Sequence, residues 1–359
     1  MKPFLCIFYV LLYNFPMSLT ADSKSFQASQ AIVVMTPSEI EKMGFHYPDM
    51  QLCPIPSKAI PPQRVRWMHG VGSANAGFPA QVFEGSLDRP GLKSIFVKKQ
   101  AKYFSDPNKA GGNKWLMSIY KHSRDLLIGV CHVENVGPQG NLFRLGIAYS
   151  TNGAESWTYL GHSLVSAVDD DKANIAGGAW AIKDDHFYVF YIQNGGAAGS
   201  VARTSLKKLI HAIQKNEPVP FNKFANGDWS MSGTSTGEAT TLNIPQIGNH
   251  NNVLRCNRDG FYYQVVYGVH SNGNDLRLIK SSDLIDWTDL GVIGSGSRNL
   301  FYISLLDVSG KSGEGTFDDA FYVYYGDDVL NAPPSPPCPS NWQRSISHGY
   351  YRCRVDIIL

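Results

Sequence analysis

The sequence predicts an all-β fold, a five-bladed β-propeller with an N-terminal wrapping segment and one inserted surface helix, and three observations predict it. Short apolar runs rich in Ile, Val, Phe and Tyr recur along the chain, each bounded by Gly, Pro, Asn or Asp, as strands and tight turns are. A charged turn leading into an aromatic strand also repeats: Asp184-Asp185-His186-Phe187-Tyr188, Arg258-Asp259-Gly260-Phe261-Tyr262 and Asp318-Asp319-Ala320-Phe321-Tyr322. These lie 74 and then 60 residues apart, the scale of a blade carrying insertions. Finally, charged residues make up 17% of the chain, against roughly 25% in ordinary domains; 18 Phe, 18 Tyr, 7 Trp and 34 Gly fill the difference. Repeated small sheets point to radial packing, whereas a sandwich needs no repeated internal unit.

Taken in order, the chain opens on what reads as a secretory signal over residues 1–21. Lys2 supplies the charge, Phe4 to Phe15 the apolar core, and Ser18-Leu19-Thr20-Ala21 the small residues for cleavage. That core is too short to span a bilayer, and no later stretch is long enough. The mature chain is expected to be secreted or periplasmic, with no membrane contact after signal removal. Residues 22–62 read as the wrapping segment. Thr36-Pro37-Ser38-Glu39 starts a helix, with Pro near its first position and Glu at its third, and Gly44 stops it. Pro48, Pro54, Pro56, Pro61 and Pro62 then impose extended or irregular backbone.

Residues 63–359 read as the propeller domain. Strands are expected at 64–69, 80–84 and 93–98, then at 115–120 followed by the hairpin 126–161. Further units follow at 176–182, 187–193 and 200–204; at 252–256, 261–268 and 276–280; and at 301–306, 320–326 and 350–359. Leu206, Leu209, Ile210 and Ile213 break the pattern with helical spacing, Ser205 able to cap them and Lys207, Lys208, His211 and Gln214 on the other side. This is the inserted surface helix.

The formal net charge of +2 offers no electrostatic grip on nucleic acid. Of six cysteines, Cys6 leaves with the signal, so Cys53, Cys131, Cys256, Cys338 and Cys353 remain, an odd number. Cys338 and Cys353 flank a Pro-rich loop and are the pair expected to bond. No Cys/His cluster has the spacing of a zinc site.

Two strand ends carry a further signature. Ser150-Thr151-Asn152-Gly153-Ala154-Glu155-Ser156-Trp157 resembles the Asp-box of sialidase-type propellers, with Asn in the Asp position and Ala for the second Gly. Ser281-Ser282-Asp283-Leu284-Ile285-Asp286-Trp287 resembles the Ser-x-Asp-Leu-x-x-Trp turn of five-bladed glycoside hydrolases of the family 43 and family 32 kind. In both, a polar side chain closes the turn and the Trp packs between strands. Other runs look like secreted propellers of that superfamily: His132-x-Glu134, Gly177-Gly178-Ala179-Trp180, Val201-Ala202-Arg203, and Phe221-x-Lys223-Phe224-x-x-Gly227-x-Trp229. Tyr351-x-Cys353-Arg354-Val355 looks like the last strand that latches such a ring. The resemblance covers roughly residues 64–359 and implies a glycosidase-like carbohydrate-active protein. The family-43 Asp-Pro opening motif, a clean Glu-Gly-Pro acid motif and the spaced arginine triad of sialidases are not found.

In a propeller the innermost strand of each blade begins at the face where the second strand ends, so residues at those places meet at one mouth of the central channel. Glycoside hydrolysis needs two carboxyl groups across the scissile bond, one protonated and one ionised. Glu134 and Glu238 come from different units and are the expected catalytic pair, with His132 tuning Glu134 or donating a proton. Glu84 and Asp88 are held in reserve. Trp180 and Trp229 are expected to stack on sugar rings, and Asn174, Asn252 and His270 to bind hydroxyls at the mouth. Each has a structural alternative: a hydrogen-bonded pair for His132 and Glu134, a solvated loop acid for Glu238, core packing for the two Trp. No cofactor is expected. Asp327-Asp328 reads as a turn pair, a structural calcium being the alternative, since hard cations want several oxygen ligands. The expected partner is an oligosaccharide or glycan, bound by a monomer; a non-catalytic carbohydrate-binding propeller and a protein-interaction scaffold are the rivals.

Overall fold

The computed structural model describes residues 25–42, 52–56, 64–70, 79–91, 93–99, 103–168, 175–193, 199–244, 253–270, 273–296, 301–328 and 348–359. They form five antiparallel sheets, each built mainly from consecutive strands, arranged as a five-bladed propeller. From the inside outwards, the first blade is Cys53–Ile55, Arg64–Gly70, Pro79–Ser86 and Lys93–Lys99. The second is Asn113–Lys121, Leu127–Val136, Leu142–Ser150 and Trp157–Leu164, with Phe104–Ser105 added in parallel at its edge. The third runs Ala176–Lys183, His186–Ile192, Gly199–Ser205, Asn222–Ala225 and Asp228–Ser232. The fourth runs Leu254–Cys256, Tyr262–His270, Gly273–Ser281 and Thr288–Gly296. The fifth runs Phe301–Asp307, Ala320–Asp328 and His348–Ile357.

Strand alternation gives each sheet two apolar faces, and each face is buried against the next blade. One cluster joins Ile55 and Met68 of the first blade to Leu116 and Trp157 of the second. Others join Ile128 to Phe187, Phe190 to Val266, Val265 to Val323, and Tyr324 to Trp67, so the ring is glued interface by interface.

The N-terminal segment latches this ring. Phe26–Ala28 and Ile32–Met35 both pair with His348–Ile357, Phe26 opposite Ile357 and Val33 opposite Tyr351, so the latch expected around Tyr351 is made by both chain ends. The helix Pro37–Lys42 follows, started by a reciprocal cap in which the Thr36 amide donates to Glu39 Oε2 at 2.9 Å and the Glu39 amide to Thr36 Oγ1 at 3.3 Å. The ring begins earlier than residue 63, because Cys53–Ile55 is the innermost strand of the first blade. Pro54 is tolerated there because the strand's other edge has no ladder partner among the described residues.

The two signature turns are structural. Ser150 Oγ accepts the Ala154 amide at 3.0 Å, and Asn152 Oδ1 accepts the Ser156 amide at 3.1 Å. Ser281 Oγ accepts the Leu284 amide at 2.8 Å, and Asp283 Oδ1 accepts the amides of Ile285 and Asp286, both at 2.9 Å. Ala154 and Leu284 each take a left-handed φ, +68° and +73°, held by those bonds. The inserted helix is Leu206–Lys215, capped by Ser205 Oγ and closed by left-handed Asn216.

Cys353 corrects the expected disulfide. It is a buried free thiol opposite Val323, packed beside Val265 and Val355, and burial pushes its pKa up to about 12. Alternation along the last strand aims its sulfur into the core; Cys338 lies outside the described residues. Cys53, Cys131 and Cys256 are also free and buried. No helix among the described residues is long and apolar enough to cross a membrane.

One excursion decides how the channel is presented. Between the first two strands of the fifth blade, residues 308–319 cross the end of the ring where the inner strands stop. Gly313 O accepts the Lys121 amide of the second blade at 2.8 Å, and Gly313 lies against Pro56 of the first. Gly315 lies against the Trp180 indole of the third blade, and its carbonyl accepts the Arg255 amide of the fourth at 2.8 Å. Thr316–Phe317 then pairs in parallel with Leu254–Cys256. This strap from the fifth blade touches all four others.

Candidate functional site

Glu134 sits at the end of the ring opposite the strap. It lies near the end of the second strand of the second blade, opposite Asn113, the first residue of that blade's inner strand. Gly112 (φ +74°) lets the preceding loop pass here: a Cβ would lie 2.8 Å from the Glu134 carbonyl and 2.5 Å from Val133. The loop is drawn tight by Asp106, which accepts the amides of Ala110 and Gly111 and pairs with Lys114 Nζ at 3.1 Å. Burial works against the Asp106 charge, but these bonds outweigh it and hold the carboxyl below its usual range.

His132 and Glu134 share the face that carries Ile128 and Val130, which pack toward the third blade. The imidazole is buried, stacks on Phe143 with ring centroids 5.8 Å apart, and places Nδ1 4.0 Å from Glu134 Oε1. The Glu134 side chain keeps 33% of its exposure, so a partly exposed carboxylate stands beside a sheltered imidazole.

Glu238 is exposed in the loop that follows the third blade's last strand. Its neighbours fix it: the Gly237 amide donates to Ala167 O at 2.7 Å, and Gln193 Nε2 donates to Ala239 O at 3.0 Å while its Oε1 accepts the Ala239 amide. Gln193 follows the third blade's second strand, and Ala167 lies in the link from the second blade to the third. Glu134 and Glu238 therefore both stand on the strap-free side of the interface between these blades.

The other expected residues lie elsewhere. Glu84 pairs with Arg66 (3.7 Å) in the row containing Ile55, toward the strap end. Asp88 pairs with Arg352 at 2.5 Å. Trp180 is not a sugar platform: 1% exposed, it is stacked on Phe187, covered by Tyr120 and touched by Gly315. Trp229 is on the outermost strand of the third blade, away from the channel, with Arg203 4.2 Å over its ring and Tyr188 and Phe224 against it. Hairpin order put it there, which residue type does not reveal. His270 ends the fourth blade's second strand opposite Gly273. Asn174 and Asn252 fall outside the described residues. Asp327-Asp328 is no turn: both belong to the strand Ala320–Asp328, and Asp327 is buried at the Glu134 end of the fifth blade. Among the described residues no group of three or more His, Cys, Asp or Glu side chains is placed to hold a metal ion.

No protein-family model matches this chain, and no curated protein matches it by sequence. Solved structures do match in shape. The catalytic domain of the glycoside hydrolase family 62 α-L-arabinofuranosidase of Coprinopsis cinerea is similar with a TM-score of 0.55 and 11% identity, over 93% of this chain and 98% of that one. The α-L-arabinofuranosidase of Podospora anserina, in complex with cellotriose, gives 0.54 and 8% over 85% and 96%. A family 62 hydrolase in complex with xylotriose gives 0.53 and 10% over 92% and 97%. The resemblance to glycosidase-type five-bladed propellers is thus borne out as a likeness of fold.

Proposed function

We propose that this chain is an exported, monomeric, carbohydrate-active propeller of the glycoside hydrolase kind, with Glu134 and Glu238 as its carboxyl pair. The observation that supports this reading most is that they come from adjacent blades and both lie at the end of the ring away from the strap. Hydrolysis of a glycosidic bond asks one carboxyl to deliver a proton and another to stay ionised. In this reading Glu238 takes the second role. Glu134, half-sheltered and backed by His132, suits proton exchange. Fold does not decide activity, so the reading rests on these residues.

Cellotriose, xylotriose and an aryl α-L-arabinofuranoside are the first probes, the fold neighbours being α-L-arabinofuranosidases or complexes with these trisaccharides. E134Q is expected to lower kcat by at least roughly a hundredfold with trisaccharide binding retained. Full activity in E134Q removes Glu134 from the mechanism, and collapse of the fold makes the pair with His132 structural. Sugar binding by the wild type without turnover of any probe favours the non-catalytic reading. No thermal shift with any oligosaccharide leaves the interaction scaffold.

A further inference from the structure

We propose that Tyr302 is a carbohydrate-contacting residue at the mouth of the channel, an assignment that deepens the proposed function and rests on it. Tyr302 is the second residue of the fifth blade's inner strand, Phe301–Asp307, so it stands at the end of the ring that carries Glu134. Its φ is +58°. In that region Cβ crowds the following carbonyl, so residues other than Gly, Asn and Asp avoid it. Of the other non-glycine residues with positive φ, Lys109, Ala154, Asp184, Asp185, Asn216, Asn226 and Leu284 lie in turns, loops or a helix cap, and Asn135 is an Asn at a strand end. Among the described residues Tyr302 is the one aromatic in this set and the one member inside an innermost strand.

The backbone conformation has a visible consequence. Phe301 pairs with Gly326 and Ser304 with Tyr324, so the inner strand carries one residue more than its partner between those rungs. Without this bulge Tyr302 would continue the row of Ser304 and Leu306, which are buried. With it, Ile303 and Leu305 keep their places in the core between the fourth and fifth blades, while Tyr302 stays partly exposed. A bulge that re-aims a side chain, together with strain held by well-packed neighbours, is the pattern of a functional position. An aromatic ring meets the C–H face of a sugar, so this corner suits a sugar ring of a neutral oligosaccharide.

The test compares wild type, Y302G and Y302F by thermal unfolding, and by binding and turnover of xylotriose and cellotriose. Glycine takes the left-handed backbone freely, so Y302G is expected to melt at or above the wild-type temperature. Loss of the ring is expected to weaken binding, or raise KM, by roughly tenfold with kcat little changed. Y302F, keeping the ring, is expected to stay within about threefold of wild type. A Y302G protein that binds like wild type, or that melts as a core truncation does, overturns the assignment of Tyr302 alone. A wild type that answers neither trisaccharide overturns the functional reading beneath it.

Discussion

Replacing Gly315 by Ala tests whether the strap is pressed onto the ring. A Cβ on Gly315 would lie 2.7 Å from Trp180 Cη2 and 2.8 Å from Cζ3. The indole has nowhere to go, being buried between Phe187 and Tyr120. The backbone must also hold Ala at φ +68°, which costs about 1 kcal/mol. Forcing a methyl into a packed core adds about 1–3 kcal/mol. The expected loss is therefore about 2–4 kcal/mol, a fall in Tm of roughly 3–5 °C for a chain this long. Gly227→Ala is the control: its φ is +81° and no atom lies within 4 Å of its would-be Cβ, so it carries the backbone cost alone. Equilibrium denaturation is the assay, or unfolding rates if the transition is irreversible, with near-UV circular dichroism following the indole. A G315A protein no less stable than G227A refutes the reasoning, because the strap would then be free to lift away from the third blade.

Two further outcomes follow from polar groups held by hydrogen bonds. Asp283 is pushed up by burial, but the amides of Ile285 and Asp286 and the Ser281 hydroxyl outweigh this and leave its pKa lowered. A carboxyl lowered on folding stabilises above its unfolded pKa of about 3.9 and loses that contribution as pH falls through the folded value. D283A is expected to cost about 1–2 kcal/mol at neutral pH; D283N, which reproduces the acceptor that Asn152 supplies in the other turn, should cost less and flatten the acid limb of a stability–pH curve. An unchanged acid limb in D283N would contradict this. Lys223 is buried with Nζ donating to Ser235 O at 2.8 Å, and burial lowers its pKa to about 8. Its unfolded form binds the extra proton between that value and its ordinary one of about 10.4, so stability should rise with pH across that window. K223M should remove the rise and be at least as stable at neutral pH; persistence of the slope in K223M would assign it elsewhere.

Legibility followed the range of the interactions. The two Ser…Trp turns and the inserted helix were readable because a few neighbouring residues carry the whole reason: Ser281 and Asp283 satisfy amides within five positions, and Leu209 and Ile213 share one helix face. The strands were readable for the same cause. Cys53–Ile55 was not, since three residues among prolines show no alternation and become a strand only against Arg64–Gly70. Nor was the strap: residues 308–319 acquire that role only from Pro56, Lys121, Trp180 and Arg255 beneath them. Within the candidate site, the His132 and Glu134 pair was visible because period-two alternation puts both on one face. The same alternation says nothing about which blade edge Trp229 occupies or that Trp180 is roofed by Gly315.

Taken alone, the amino-acid order determined the strands, the signature turns, the surface helix and the repetition that makes a ring the economical way to bury two apolar faces per sheet. Those are decided by φ preferences, side-chain period and hydrogen bonds between near neighbours. The tertiary structure decided the rest: which end of the ring is strapped, that both chain ends share the last blade, and that Glu134 and Glu238 stand at one interface while Glu84 lies toward the other end. Such placements depend on which blade lies against which, and no residue's intrinsic preference carries that information across more than a hundred positions.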